Sequence, residues 1–203
     1  MKKYRIILVM AFIFVFSSHL HAQQYGELAY QVSFPLGDFK EFVSKPSFAG
    51  ISAGYRVALK SNPQLTIGGN FNWYYLSDKL GYHTTPTNDG GSYSGTTTRF
   101  TNIYSLLAIA QYDFSPSTDT WVPFMKVGFG ADYQSQRTDI GLYAFKNDGI
   151  QFAAHTEIGF RFNPDPMNGI FLAFTYDAMP KAGNLVSTSI VGIKLGVSRL
   201  SIK

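Results

Sequence analysis

The residues best placed for chemistry lie in the stretch Gly149–Phe162, where His155, Glu157 and Arg161 stand on one set of alternate positions. Phe152, Ala154, Thr156, Ile158, Phe160 and Phe162 occupy the other set. Strand side chains point alternately to opposite faces, so this stretch reads as a strand with one apolar and one charged side. Two residues along a strand place His155 and Glu157 roughly 7 Å apart, a spacing that suits acid–base pairing. Such a pair could move a proton, or it could neutralise charge inside a closed space. Nucleophilic catalysis would also need an activated hydroxyl or thiol beside the base. The chain has no cysteine, and no serine is marked out as a nucleophile, so no catalytic residue is assigned.

Other chemistry is poorly supported. Gly128-x-Gly130 lacks a third glycine and a following helix, so it is no dinucleotide fingerprint. Asn88-Asp89-Gly90-Gly91 and Asn147-Asp148-Gly149 could hold calcium but are more simply turn signals. Of the four histidines, His19 and His21 fall in the first 22 residues, and the other two without cysteine argue against a structural zinc site. No cofactor and no metal are expected.

The first 22 residues form a separate unit. Lys2, Lys3 and Arg5 precede an unbroken apolar run from Ile6 to Phe16, and Ser17, Ser18 and Leu20-His21-Ala22 lead to a small residue. This is the layout of a secretory signal peptide cut after Ala22, giving domains 1–22 and 23–203. An apolar run of about 11 residues is too short to span a bilayer as a helix. The leader carries three of the 17 Lys+Arg and none of the 13 Asp+Glu, so the remainder is nearly neutral at 14 against 13. The basic balance of the whole chain is therefore a leader effect and gives no case for nucleic acid. Without cysteine, an exported chain also has no disulfide framework.

Eight segments with period-two character follow: Tyr25–Phe34, Phe48–Lys60, Leu65–Leu76, Arg99–Phe114, Trp121–Tyr133, Gly149–Phe162, Ile170–Ala178 and Leu185–Leu200. Almost nothing reads as helical. The odd connections, 35–46, 77–98, 136–149 and 181–184, are mostly long. The even ones, 61–64, 115–120 and 163–168, are short and rich in Pro, Asn, Asp or Ser. Consecutive antiparallel strands put the odd connections at one end and the even ones at the other. Short turns at one rim and long loops at the other is the transmembrane-barrel rule, and lipid tolerates only a closed sheet. Trp73, Tyr75, Tyr133 and Tyr176 fall at one end of the strands and Tyr112, Trp121, Phe160 and Phe162 at the other, as two interfacial girdles would. The fold class is therefore all-β: an eight-stranded antiparallel up-and-down transmembrane β-barrel behind a signal peptide.

If the apolar faces meet lipid, the inward charged set is Glu27, Arg56, Lys126, Asp132, His155, Glu157, Arg161, Asp177 and Lys194. With His155 neutral this is four positive against four negative groups. Eight strands enclose only enough room for side chains, so a balanced lumen is expected to close on itself by salt bridges. A proton or ion path through the same groups is the rival reading. Tyr82, His83 and Tyr93 lie in the polar 77–98 stretch, the candidate recognition loop for an extracellular ligand whose identity the residues do not reveal.

Val127-Gly128-Phe129-Gly130, Ile158-Gly159-Phe160 and the opening Phe34-Pro35-Leu36-Gly37-Asp38-Phe39 add a resemblance. From about Gln23 onward the chain resembles the small outer-membrane β-barrel domain family, the OmpA/OmpX-like barrels. The resemblance implies an integral protein of the outer membrane, a monomer surrounded by outer-membrane lipid, acting in adhesion, envelope stability or host interaction. It also implies insertion by the barrel-assembly machinery. Such barrels usually finish on an aromatic residue, whereas this chain ends Arg199-Leu200-Ser201-Ile202-Lys203, with Gly192, Leu195 and Val197 a partial version of that signal. Some barrels of this size modify lipids through a Ser/His/acid set at the outer leaflet, yet His155 and Glu157 lie near midstrand on the inward face. Three alternatives accompany the reading: a narrow porin-like channel, a soluble periplasmic lipocalin-like barrel with its faces reversed, and a lipid-modifying enzyme.

Overall fold

The computed structural model describes residues 23–86, 90–165 and 167–201. The expected leader, residues 1–22, and the final two residues lie outside the described residues. Eight strands follow in order: β1 (Gln24–Leu36), β2 (Ala49–Leu59), β3 (Asn62–Pro86), β4 (Ser92–Asp113), β5 (Trp121–Ile140), β6 (Tyr143–Phe162), β7 (Asn168–Met179) and β8 (Thr188–Ser201). Each pairs antiparallel with its neighbour, and β1 closes on β8 from Gln24↔Ser201 to Leu36↔Ser189. Among the described residues no helix is long and apolar enough to cross a membrane. Closure leaves no sheet edge within the barrel wall, which is what hydrocarbon demands of backbone polar groups.

The alternation has its physical outcome in the wall. Leu106, Phe129, Ile158, Phe174 and Leu195 are between 57% and 69% exposed on the outside. Arg56, Lys126, Arg161 and Lys194, on the opposite faces of their strands, are at most 2% exposed. A barrel that buries its charges and exposes its aromatic and aliphatic groups is inverted relative to a soluble one. This overturns the lipocalin-like alternative, because its apolar faces would have to point inward.

Three expectations about the connections are corrected. Residues 35–46 are more than a loop: β1 continues to Leu36, and Gly37–Phe42 form a short helix, α1. Gly37 makes the sharp entry with φ of +56°, a conformation glycine adopts without steric cost. The period-two signal could not announce six helical residues. Residues 77–98 are a β-ladder, with β3 and β4 paired from Ser77↔Phe100 to Pro86↔Ser92 across a bulge at Lys79/Gly81. Thr- and Ser-rich composition reads as loop, but from Gly81 to Thr84 and from Gly90 to Ser94 the described side chains are exposed on both faces and need no apolar alternation. Likewise 136–149 is a hairpin, paired from Gln136↔Asn147 to Ile140↔Tyr143 and turned by Gly141-Leu142. Gly141 has φ of +59°, as the first central position of a II′ hairpin turn requires. Asn147-Asp148-Gly149, read from sequence as the turn, sits inside β6.

The four central strands are consequently much longer than the rest, with 25, 22, 20 and 20 residues in β3 to β6 against 11 to 14 in β1, β2, β7 and β8. About 9–11 residues suffice to cross a bilayer. The surplus rises beyond one rim as a four-stranded sheet, held by β4–β5 pairing as far as Thr97↔Ile140.

Candidate functional site: a charged lumen beneath protruding hairpins

Every member of the predicted charged set faces the lumen, and the side chains fall into linked groups. Nearest the short-turn rim, Arg161 Nη2 donates to Asp113 Oδ2 at 2.6 Å, and Gln111 Nε2 donates to the other Asp113 oxygen at 2.7 Å. Arg56 and Arg161 also stack over the buried Tyr25 ring, at 4.6 and 5.5 Å from its centroid. Arg56 pairs with Glu27. Lys126 Nζ then bridges Glu27, at 2.9 Å, to Glu157, at 3.1 Å. Lys194 Nζ reaches Glu157 at 3.0 Å and Asn72 Oδ1 at 3.4 Å.

His155 lies between two acids, with Nδ1 at 2.7 Å from Asp177 and Nε2 at 3.3 Å from Glu157. Among the described residues both nitrogens meet carboxylates. The cluster therefore holds the acid–base pair seen in the sequence. Asp132 is fully buried, and neither of its oxygens finds a protein partner among the described residues. It faces Ser105 across the β4–β5 ladder.

Sequence reasoning missed several lumen groups. Asp113 was visible on the inward face of its strand but was left out of the charged set. Its inclusion makes five acids, Glu27, Asp113, Asp132, Glu157 and Asp177, against four permanent bases. Asn70, Asn72, Gln31, Gln111 and Gln151 are buried there as well. Their alternation was legible, although amides carry no charge signal to single them out. Tyr74, grouped by sequence with its neighbours at the outer strand end, instead points inward and is fully buried.

Space for the long bases comes from small residues. A Cβ on Gly192 would stand 2.6 Å from Gln31 Nε2 and 2.7 Å from Thr175 Oγ1, so any side chain there would displace the polar layer.

A second, apolar layer sits above the charges. Phe39 of α1 and the following Val43 are completely buried in the outer mouth, packed with Tyr74, Leu76, Ile103, Met179 and Ile190. Polar contacts hold the segment from outside. Arg99 Nη1 donates to the carbonyls of Glu41 and Phe42 at 2.9 and 3.0 Å. Ser44 donates through both N, at 2.9 Å, and Oγ, at 2.5 Å, to Asp78 Oδ2. Burial alone would raise the Asp78 carboxyl, but the Ser44 donors and the Lys45 ammonium hold it below its ordinary range. An apolar layer thus overlies an ion-paired one.

The wall carries the expected girdle residues outward. Tyr104 and Tyr133 stack at 6.4 Å, as do Tyr75 and Phe100 at 6.5 Å, and Trp73 donates from Nε1 to Asn102 Oδ1 at 3.4 Å. Tyr176 is exposed on β7. Toward the other rim Trp121 packs on Phe162 at 4.8 Å, Tyr112 meets Phe114 edge-on at 5.3 Å, and Phe160 is exposed. Aromatics also cross the middle of the wall, where Phe129 stacks on Phe152 at 6.3 Å. The two belts are therefore enrichments within a generally aromatic surface.

The candidate recognition residues lie on the β3–β4 hairpin. Tyr82 is 74% exposed, His83 is exposed, and Tyr93 pairs with Thr85 in the ladder. The β5–β6 tip, which sequence did not single out, presents Leu142, fully exposed, beside the exposed Tyr143 and Phe145.

No protein-family model matches the chain, and no curated protein matches it. Solved structures do. A major outer membrane protein from Thermus thermophilus aligns with a TM-score of 0.56 at 13% identity, over 89% of this chain and 100% of that one. Ail, the attachment invasion locus protein of Yersinia pestis, aligns at 0.54 and 13% identity, over 89% of this chain and 99% of that one. Neisserial surface protein A aligns at 0.52 and 14% identity, over 88% and 96%. At these identities the likeness is one of fold. The chain has the fold of the small eight-stranded outer-membrane β-barrels.

Proposed function

We propose that the chain is an integral outer-membrane barrel whose lumen is closed and whose work is done by the hairpins standing above the outer rim. The observation that carries this reading is the double closure, the α1 stopper with its buried Phe39 over the Glu27–Lys126–Glu157–Lys194 chain. A barrel sealed twice is a poor conduit, which weighs against the narrow channel. The absence of a nucleophile beside His155 weighs against the lipid-modifying enzyme. The outward aromatic wall supports outer-membrane lipid as the surrounding medium, reached through the barrel-assembly machinery after removal of residues 1–22.

The protruding sheet supports surface recognition. Ail has been crystallised with a heparin analogue, sucrose octasulfate, but that preference does not suit this chain. Several of its outer bases are already engaged, with Lys45 on Asp78, Arg137 on Asp139 and Lys146 on Asp148. Exposed aromatic and aliphatic groups stand among the polar ones there, with Tyr82 on the β3–β4 hairpin and Leu142 at the β5–β6 turn. An apolar or mixed protein surface suits them better than a polyanion.

Replacing 79–96 and 137–147 by short turns tests the reading. The trimmed protein should remain in the outer-membrane fraction and keep its mobility difference between unheated and heated SDS samples, while cells lose adhesion to host or matrix protein. Retained adhesion would refute the recognition role. A soluble, unshifted protein would refute the membrane reading itself.

A further inference from the structure

The outer wall is not uniformly bulky. At the short-turn rim, β8 runs between β7 and β1 so that Arg199 is flanked by Asn168 on one side and Gly26 on the other. All three are exposed on the outward face. Gly26 leaves a notch, because a Cβ there would meet nothing within 4 Å. The notch opens into a groove walled by Leu28, Ile170 and Val197, with Arg199 and Asn168 at its lower end. Ile170, Val197 and Leu28 form one outward row across β7, β8 and β1, and Arg199 sits two residues beyond Val197 toward the rim. Arg199 forms no salt bridge among the described residues.

A guanidinium exposed on a lipid-facing wall is costly at the hydrocarbon level and favourable at the headgroup level, where it meets phosphate. Arginine suits phosphate because its planar fork donates two parallel charge-assisted hydrogen bonds. The apolar groove running from it toward the membrane centre has the polarity order of a phospholipid: charge at the interface, then methyl and methylene contacts. Resting on the outer-membrane reading, we propose that the Arg199–Gly26 groove is a binding site for one glycerophospholipid of the periplasmic leaflet. The guanidinium holds its phosphate, and one acyl chain lies over Gly26 between Leu28 and Val197.

Gly26→Leu is the decisive variant, because its Cβ would meet nothing within 4 Å, so the side chain can occupy the groove without displacing the barrel backbone. Arg199→Gln removes the phosphate contact. Detergent-purified protein is given dioleoyl phosphatidylglycerol, and the bound fraction is read by native mass spectrometry. One lipid should remain on the unaltered protein, and each variant should weaken retention about tenfold, the scale of one lost charge-assisted contact. Dioleoylglycerol, which lacks the phosphate, should not be retained. Equal retention by either variant, or of dioleoylglycerol, would overturn the site. So would a dimer peak abolished by Gly26→Leu, which would make the groove a self-association face. The heat-dependent SDS shift is read on the same samples: its presence in all three proteins keeps the membrane reading whatever the lipid result, and its absence from the unaltered protein removes both.

Discussion

Arg161 Nη2 donates to Asp113 Oδ2 at 2.6 Å, tying β6 to β4 across the lumen near the short-turn rim. The strands are not neighbours in the barrel, so the bond braces the cylinder from within. Both side chains are 2% exposed.

Breaking that brace should therefore be expensive. Asp113→Asn leaves a buried guanidinium without its counter-charge, and such losses cost roughly 3–5 kcal/mol. Replacing both partners with leucine should cost clearly less, because no charge is stranded. Urea unfolding in lipid vesicles, followed by tryptophan fluorescence, measures the two. A double variant as unstable as Asp113→Asn would show that the interaction is not the source of the loss.

Glu157 is the hub of the central layer, accepting from Lys126 and Lys194 and lying beside His155. Lys126 keeps Glu27 when Glu157 is removed, whereas Lys194 is left with Asn72 alone. Glu157→Gln should accordingly destabilise by several kcal/mol, and adding Lys194→Met should restore a large part of it. Failure of the second change to rescue, in the same vesicle assay, would remove Lys194 as the stranded partner.

The outer latch makes a pH prediction. Asp78 lies three residues beyond Tyr75, above the outer aromatic belt, and its carboxyl is held below the ordinary value of 3.8. A depressed carboxylate contributes stability that is complete above its unfolded value and disappears as pH falls through the folded one. The α1 segment should thus stay latched at neutral pH and loosen only below about pH 4, where Asp78 gains a proton. Hydrogen exchange at the Ser44 amide reads this directly. Asp78→Asn should show fast exchange already at pH 7, and slow exchange there would contradict the latch.

Leu142 is fully exposed at the β5–β6 tip, so Leu142→Asp should change stability by less than about 0.5 kcal/mol. It should nevertheless weaken adhesion of cells carrying the protein. Unfolding and adhesion assays run on the same variant separate a recognition tip from a passive turn.

Much of this arrangement was legible in the chain because one physical rule, period-two alternation, governs both wall and lumen. Glu27, Arg56, Lys126, His155, Glu157, Asp177 and Lys194 are placed inward by parity alone. Parity cannot say which partners meet, since Lys126 and Glu27 are 99 residues apart and are joined only by barrel closure. It fails for the far part of the β3–β4 hairpin, where Gly81 to Thr84, Ser92 and Ser94 are exposed and Thr and Ser carry no apolar signal. It fails again at Phe39, one of two aromatics in the 35–46 connection, whose burial depends on α1 folding back over the mouth. Gly141 was the available sign of the β5–β6 turn, but the stronger local turn signal Asn147-Asp148-Gly149 masked it.

The central claim is that the lumen is closed twice, and single-channel recording in planar bilayers tests it most directly. Folded, heat-modifiable protein should show no ion conductance. Deleting 38–43 should leave it silent, because the Glu27–Lys126–Glu157–Lys194 layer remains. Deletion combined with Glu157→Gln and Lys194→Ala should produce discrete openings. Steady conductance from the unaltered protein would contradict the account and reinstate the narrow channel.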